Sequence, residues 1–294
     1  MHNDSDLLAA DTSMGPVTLL VGDLDAMTKY YRDAVSLRVL SQGAAGEAGD
    51  TVTLGRGATP VMILKHAPEL THASQREAGL FHTAILFDTE AALAAAVYSV
   101  AQKHPNTFTG SSDHLVSKAF YFTDPEGNGV ELYWDRDRTT WSWTHGSIEM
   151  STLYLDPNAF LQEHLTENAV AEPVIGGAKV GHVHLQVGDV ATAREFYVNQ
   201  LGFEATAQMA GSALFVSAGG YHHHMAMNTW NSKGAGPRQR ALGLSLIDIE
   251  VPGADDLGAL GERMSHHGIQ TRNDGRSLTF DDPWANTISV HATQ

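Results

Sequence analysis

Two histidines, far apart in the chain, stand at matching places in neighbouring repeats, and one glutamate lies in the run that closes the first of those repeats. Phe81-His82-Thr83-Ala84-Ile85-Leu86-Phe87 and Gly181-His182-Val183-His184-Leu185-Gln186-Val187 are alternating runs, each with a histidine at its head. Gly129-Val130-Glu131-Leu132-Tyr133 is a third such run, with a carboxylate inside it. Two neutral imidazole nitrogens and one hard anionic oxygen suit one face of a divalent iron or manganese ion, with positions left for substrate oxygens and O2. A single carboxylate leaves the centre net positive, which lowers the pKa of oxygens bound there. Taken singly, a histidine at a strand head is more often a hydrogen-bonded core residue, and a glutamate before Leu-Tyr is usually exposed. The two histidines hold equivalent places in adjacent repeats, and Glu131 sits where a repeat's last strand should lie. His184 lies two residues from His182 and so faces the same side of a strand; it is a rival ligand or a pocket residue.

The run Tyr221-His222-His223-His224 precedes Met225-Ala226-Met227 inside a strand-like pattern, which argues against a surface metal scavenger. Alternation over a strand from His222 to Met227 sends His222 and His224 one way and His223 the other. At least one can then meet a substrate, and a histidine of ordinary pKa can take a proton and return it. His114 and Tyr121 precede Glu131 in the second repeat, but the Asp124-to-Gly129 turn breaks strand parity, and spacing alone does not place them. On its own Tyr121 reads as a core aromatic. Trp134, Trp141, Trp143 and Trp230 read as core or interface residues. The pairs Gly176-Gly177 and Gly219-Gly220 lack the context of a phosphate-binding loop, and no Ser-His-Asp arrangement is favoured.

The elements that must carry these residues repeat four times at about 50 residues, a period that implies stacked supersecondary units. Each unit reads strand, helix, then further strands. The first starts at Pro16–Val21, with Asp23 as a cap for a helix over Leu24–Val35. The second has a strand at His82–Phe87, an alanine-rich helix at Glu90–Gln102, and later strands at Ala119–Thr123 and Val130–Tyr133. The third has its first strand at Gly181–Val187 and its helix at Val190–Leu201. The fourth starts at Leu242, and its Asp281-Asp282-Pro283-Trp284-Ala285-Asn286 echoes the turn of the second. Residues 1–14 read as a flexible tail, 15–135 as an N-terminal domain of two units, and 136–177 as a linker with a helix at Pro157–Asn168. Residues 178–294 read as a C-terminal domain of two units.

The chain has 294 residues, no cysteine, sixteen histidines and a net charge of −16. The charge argues against nucleic-acid and anionic-membrane binding. No apolar run is long enough to span a bilayer, and the amino terminus lacks a signal-peptide pattern. The absence of cysteine excludes disulfides and thiolate metal sites and fits a cytoplasmic location.

The order of elements, with Gly181-His182-Val183-His184-Leu185, Gly219-Gly220-Tyr221-His222-His223-His224 and the stretch from His114 to Glu131, resembles the vicinal oxygen chelate superfamily. Within it the chain is similar to the type I extradiol ring-cleaving dioxygenases, in the branch related to catechol 2,3-dioxygenase. The resemblance implies an α+β fold of four βαβββ modules in two domains. It implies metal ligands at His82, Glu131 and His182, an acid–base histidine best matched by His223, and supporting roles for His114 and Tyr121. His184, His222 and His224 would then contact substrate. The implied cofactor is Fe(II), with Mn(II) as the alternative, and the partners are a small aromatic diol and O2; a homo-oligomer is an open alternative. The fourth module has no histidine on its first strand, Ser289 stands where a glutamate would be, and the first has Pro16 and Thr18 in place of a histidine. The centre is therefore expected between modules two and three. Hydroquinone cleavage, an isomerase or thiol transferase on the same modules (which usually use a fourth protein ligand), and a non-catalytic binding protein are the rival readings.

Overall fold

The computed structural model describes residues 7–43 and 50–293. It contains the βαβββ order four times. The first module runs from strand Ser13–Val21 through helix Leu24–Lys29 to strands Arg38–Gly43, Thr51–Arg56 and Thr59–His66. The second runs from Gly79–Phe87 through helix Glu90–Lys103 to Phe108–Asp113, Ser117–Thr123 and Gly129–Asp135. The third runs from Ala178–Gln186 through helix Val190–Arg194 to Glu204–Met209, Ala213–Ser217 and Met225–Asn228. The fourth runs from Gly243–Val251 through helix Ala254–His266 to Arg272–Asn273, Ser277–Asp281 and Thr287–Ala292. The helices of the first three modules begin where a side chain satisfies free backbone donors: Asp23 accepts from Ala26 N, Thr89 from Ala92 N and Asp189 from Thr192 N. In modules one and three the helix widens into a π-helical turn, at Tyr30–Ala34 and Glu195–Gln200.

The chain halves and the sheets divide the molecule differently. Each eight-stranded sheet takes one module from each half: modules one and four form one, two and three the other. First strands pair antiparallel at the middle, Ser13–Val21 with Gly243–Val251 and Gly79–Phe87 with Ala178–Gln186. Each also pairs in parallel with the last strand of its own module. Within a half, helix and turn tie the modules instead. Tyr31 Oη donates to Asp124 Oδ2 at 3.0 Å, and Tyr197 Oη to Asp282 Oδ2 at 2.8 Å. Both tyrosines sit on the π-helical turns, and both aspartates open the Asp-Pro turns that the sequence repeats. Alternation sends Val17, Leu19, Ile85, Leu132, Val183, Leu185, Ile247 and Ile249 into one shared core between the sheets. No helix among the described residues is long and apolar enough to cross a membrane.

Several sequence expectations need correction. Residues 1–6 and 294 lie outside the described residues, but 7–14 do not form a loose tail. Leu8 and Met14 are buried in the core, Leu8 N donates to Gly202 O at 2.8 Å, and the first strand begins at Ser13. The linker helix is two helices, Pro157–His164 and Glu167–Ala171, because Leu165 is extended and Thr166 caps the second. The strand after the histidine run begins only at Met225. Gly219 and Gly220 both take positive φ (62° and 67°), so His222, His223 and His224 lie in the loop that follows this turn, and strand parity does not govern them.

The sheet of modules one and four has no ligand group among the described residues. Asp248, paired with Ser289, is partly buried there, and burial pushes its pKa up to about 6. A carboxyl with a raised folded pKa stabilises the fold fully below its unfolded value of 3.8, and that contribution is lost as pH rises through about 6. Asp248→Asn is therefore expected to match the wild type near pH ~4 and to exceed it near pH ~8. After allowance for partial exposure the gain is about 1–2 kcal/mol. Urea unfolding at both pH values checks this.

Candidate metal centre

Four adjacent strands place Tyr121, Glu131, Ala84 and His182 in one row. Tyr121 pairs with Glu131, Glu131 with Ala84, and Ala84 with His182. In the next row His82 is flanked by Gly129 and His184. The small Ala84 leaves a saddle between Glu131 and His182, and His82, two residues along the same strand, faces it. Two glycines permit the close approach. A Cβ on Gly129 would lie 2.1 Å from Phe81 O and 2.9 Å from His82 Cβ. One on Gly181 would lie 1.7 Å from Tyr133 Oη. The pairing is irregular between Val180 and His182, so Gly181 marks a bulge that sets the direction of the histidine after it.

His82, Glu131 and His182 offer ligand atoms that all lie within 4.8 Å of one another, and all three residues are buried. Glu131 Oε2 is 2.9 Å from His82 Nε2 and 3.1 Å from His182 Nε2. Two ligands at right angles and about 2.1 Å from one ion are about 3 Å apart, so the spacing fits a shared cation. His82 Nε2, although close to the carboxylate, makes no hydrogen bond; a buried nitrogen left in this state fits a metal ligand. Burial pulls the His182 pKa down to about 4 against the opposing charge of Glu131. Burial also acts to raise Glu131, but His182 and His82 outweigh it and hold the carboxyl well below its usual range. Neutral imidazole and ionised carboxylate are the states in which these groups bind metal.

The remaining expected residues divide sharply. His223 lines the cavity with its ring 4.1 Å from that of His182, and burial, then the neighbouring His182 and His222, lower its pKa well below 6.5. His114 and Tyr121 also line it, joined by a 2.7 Å hydrogen bond between Nε2 and Oη. His114 Nδ1 is 2.7 Å from Ser151 O, and a carbonyl only accepts. Nδ1 therefore carries the proton, and in the neutral ring Nε2 accepts from the Tyr121 hydroxyl. Burial, then the Glu131 charge, raise Tyr121 well above 10.0 and keep that hydroxyl protonated. His184 lines the cavity outside the ligand group. Asn228 Oδ1 accepts from Trp230 N, which leaves its amide Nδ2 to donate to His184 Nε2 at 3.0 Å.

His222 and His224, expected at the substrate, are not among the residues that line the cavity. His222 is wholly buried and held by Asp135 at 2.9 Å; His224 Nδ1 is 3.0 Å from Ser217 Oγ. Trp230, read as core, is half-exposed at the cavity wall, with its ring centroid 5.3 Å from Phe81 and 5.4 Å from His184. Trp143 is likewise exposed, whereas Trp141 is buried on Tyr221 and His222. Tyr133 and Asp135 went unnoticed in the sequence. A period of two from Glu131 along its strand would have found both, since 131, 133 and 135 share a face.

Comparison with known proteins gives the same answer at the level of family. The model of the Glyoxalase/Bleomycin resistance protein/Dioxygenase superfamily matches residues 13–132 and 179–290. A catechol-2,3-dioxygenase of Bacillus subtilis (strain 168) is 33% identical over 277 residues, 93% of this chain and 94% of that protein. A structure from Bacillus subtilis subsp. subtilis str. 168, provisionally named a dioxygenase, superposes with a TM-score of 0.63 at 14% identity, covering 95% of this chain and 84% of that one. Glyoxalase I from Zea mays superposes at 0.59 and 15% identity, covering 96% and 92%. The two superpositions speak to the fold alone. With both halves of the chain matched and the four-module order in place, the chain belongs to the glyoxalase, bleomycin resistance protein and dioxygenase superfamily.

Proposed function

We propose that the chain is an extradiol dioxygenase that opens the ring of a catechol with O2, using Fe(II), or alternatively Mn(II), held by His82, Glu131 and His182. The observation that carries the reading is that the ligand group found among the described residues has three members and not four, in a cavity that His223, His114 and Tyr121 also line. Three ligands leave room for two substrate oxygens and O2, whereas an isomerase or transferase of this fold class would call for a fourth. The relative named catechol-2,3-dioxygenase supports the same reading. When bound, the ion would gather the diol oxygens and O2 on one centre and lower the pKa of the hydroxyls.

The chain's own residues handle binding and protons. His223 is neutral, so it can take a proton from a substrate hydroxyl and give it back as the ring opens. The Tyr121 hydroxyl, one strand from Glu131, donates to His114 Nε2, and by turning from His114 to a substrate oxygen it can stabilise charge that develops there. Phe81, Phe215, Met150 and Trp230 supply apolar walls to a cavity of about 640 Å³. That volume exceeds the needs of a bare catechol and admits a ring substituent. Among the lining residues there is no lysine or arginine, and Glu131 is the only carboxylate. An anionic substituent would therefore meet no cationic side chain. The preferred substrate carries an uncharged substituent.

Glu131→Ala and His82→Ala are expected to reduce bound metal from about one ion per chain to near zero, measured by elemental analysis. His223→Ala should retain its metal and lose about 10²–10⁴-fold in kcat; full activity would remove the proton role from this residue. Oxygen uptake with alkyl- or aryl-substituted catechols should exceed that with carboxylated catechols by at least about tenfold in kcat/KM, with a yellow ring-fission product. No uptake from catechols by metal-loaded protein would overturn the activity, and uptake confined to hydroquinones would move it to that class.

A further inference from the structure

We propose that Asp135 and His222 are positioning residues that fix the ring tautomer of His223 and leave its Nε2 bare as the proton acceptor. The inference rests on the role given to His223 above. Its basis is an unbroken series of hydrogen bonds whose donors can be assigned one by one. Asp135 ends the strand that carries Glu131, on the same face. Its Oδ1 is 2.9 Å from His222 Nε2, and its Oδ2 accepts from Tyr221 Oη at 2.8 Å. A carboxylate only accepts, so His222 carries its proton on Nε2 and the Tyr221 hydroxyl donates. The Tyr221 oxygen then accepts from Tyr133 Oη, 2.8 Å away.

His222 is wholly buried between the rings of Tyr221, His223 and Trp141, at 4.1, 4.5 and 5.3 Å. In the neutral ring, with Nε2 protonated, Nδ1 is a lone pair. His222 Nδ1 lies 2.7 Å from His223 Nδ1. One of the two must donate, and only His223 has a proton to give. His223 is therefore the Nδ1–H tautomer, and Nε2 is the nitrogen left to meet a ligand in the cavity.

The series crosses the chain. Asp135 comes from module two, the histidines from module three, and Trp141 and Arg138 from the connecting segment. The Arg138 guanidinium lies 4.9 Å over the Tyr221 ring and 5.7 Å over that of Trp141. When His223 takes a proton on Nε2, its Nδ1–H bond to His222 persists, and the carboxylate beyond opposes the new charge, as an orienting aspartate does for a catalytic imidazole.

Long-range proton–nitrogen NMR on the full chain, labelled at histidine nitrogen and loaded with zinc as a diamagnetic stand-in, reads the tautomers directly. The expected result is His222 protonated on Nε2 and His223 on Nδ1. In the iron-loaded enzyme Asp135→Asn should lower kcat by at least about tenfold with metal content and KM unchanged, and Asp135→Glu should restore most of it. In the zinc form Asp135→Asn should shift His223 toward the Nε2–H tautomer, a change that mere loss of packing would not produce. His223 protonated on Nε2 in the wild type, or Asp135→Asn with wild-type kcat and tautomer, would overturn the proposal. If Asp135→Asn fails to fold, the wild-type spectrum decides alone. Full activity of His223→Ala with the tautomers as expected would instead reject the proton role and leave the positioning intact.

Discussion

The antiparallel pairing of Gly79–Phe87 with Ala178–Gln186 is the contact on which the candidate site depends. It sets His182 beside Ala84 and His184 beside His82, in a register that puts both ligand histidines on the face of Glu131. A slip of one residue would turn one strand's histidines into the core and its Val183 and Leu185 out of it. The hydrophobic face and the face of the candidate ligands thus enforce each other. The bulge at Gly181 is one of two breaks in simple alternation along this pair, the other lying between His184 and Leu185, and it is allowed because Tyr133 closes against a residue with no Cβ.

The same pairing explains why chain order and site do not match. A module with one buried sheet face needs a partner, and here each module finds it in the other half of the chain. The helices and Asp-Pro turns do the opposite, tying neighbours in sequence through Tyr31 with Asp124 and Tyr197 with Asp282. Each half is therefore bound to itself by helix-to-turn bonds and to the other half by sheets. Of the two sheets, one carries the candidate ligand group at its centre. The other has Asp248 and Ser289 where the saddle residue and carboxylate would stand.

The connecting segment is part of the site and not a spacer. Ser151 supplies the carbonyl that sets the His114 proton, Met150 and Thr152 line the cavity, and Trp141 covers His222. These contacts fix His114 and, through Trp141, the His222 ring that pairs with His223. Buried polar groups need this degree of satisfaction, because each unpaired one costs stability.

The sequence by itself determined the four modules, the two strands that carry His82 and His182 and the strand that carries Glu131, because these depend on local periodicity and on the repetition of a local pattern; both histidines lie in mid-strand and not at the strand heads where the pattern placed them. It also exposed the asymmetry of the modules, since a missing histidine or glutamate is visible in the text. Tertiary structure alone decided that Tyr121 faces Glu131, that His222 and His224 stay off the cavity, that Trp230 forms its wall, and that Asp135 answers His222. These are relations between residues brought together by strand register and by a loop with two left-handed glycines. No periodicity of a single segment encodes a contact that forms only when two segments meet.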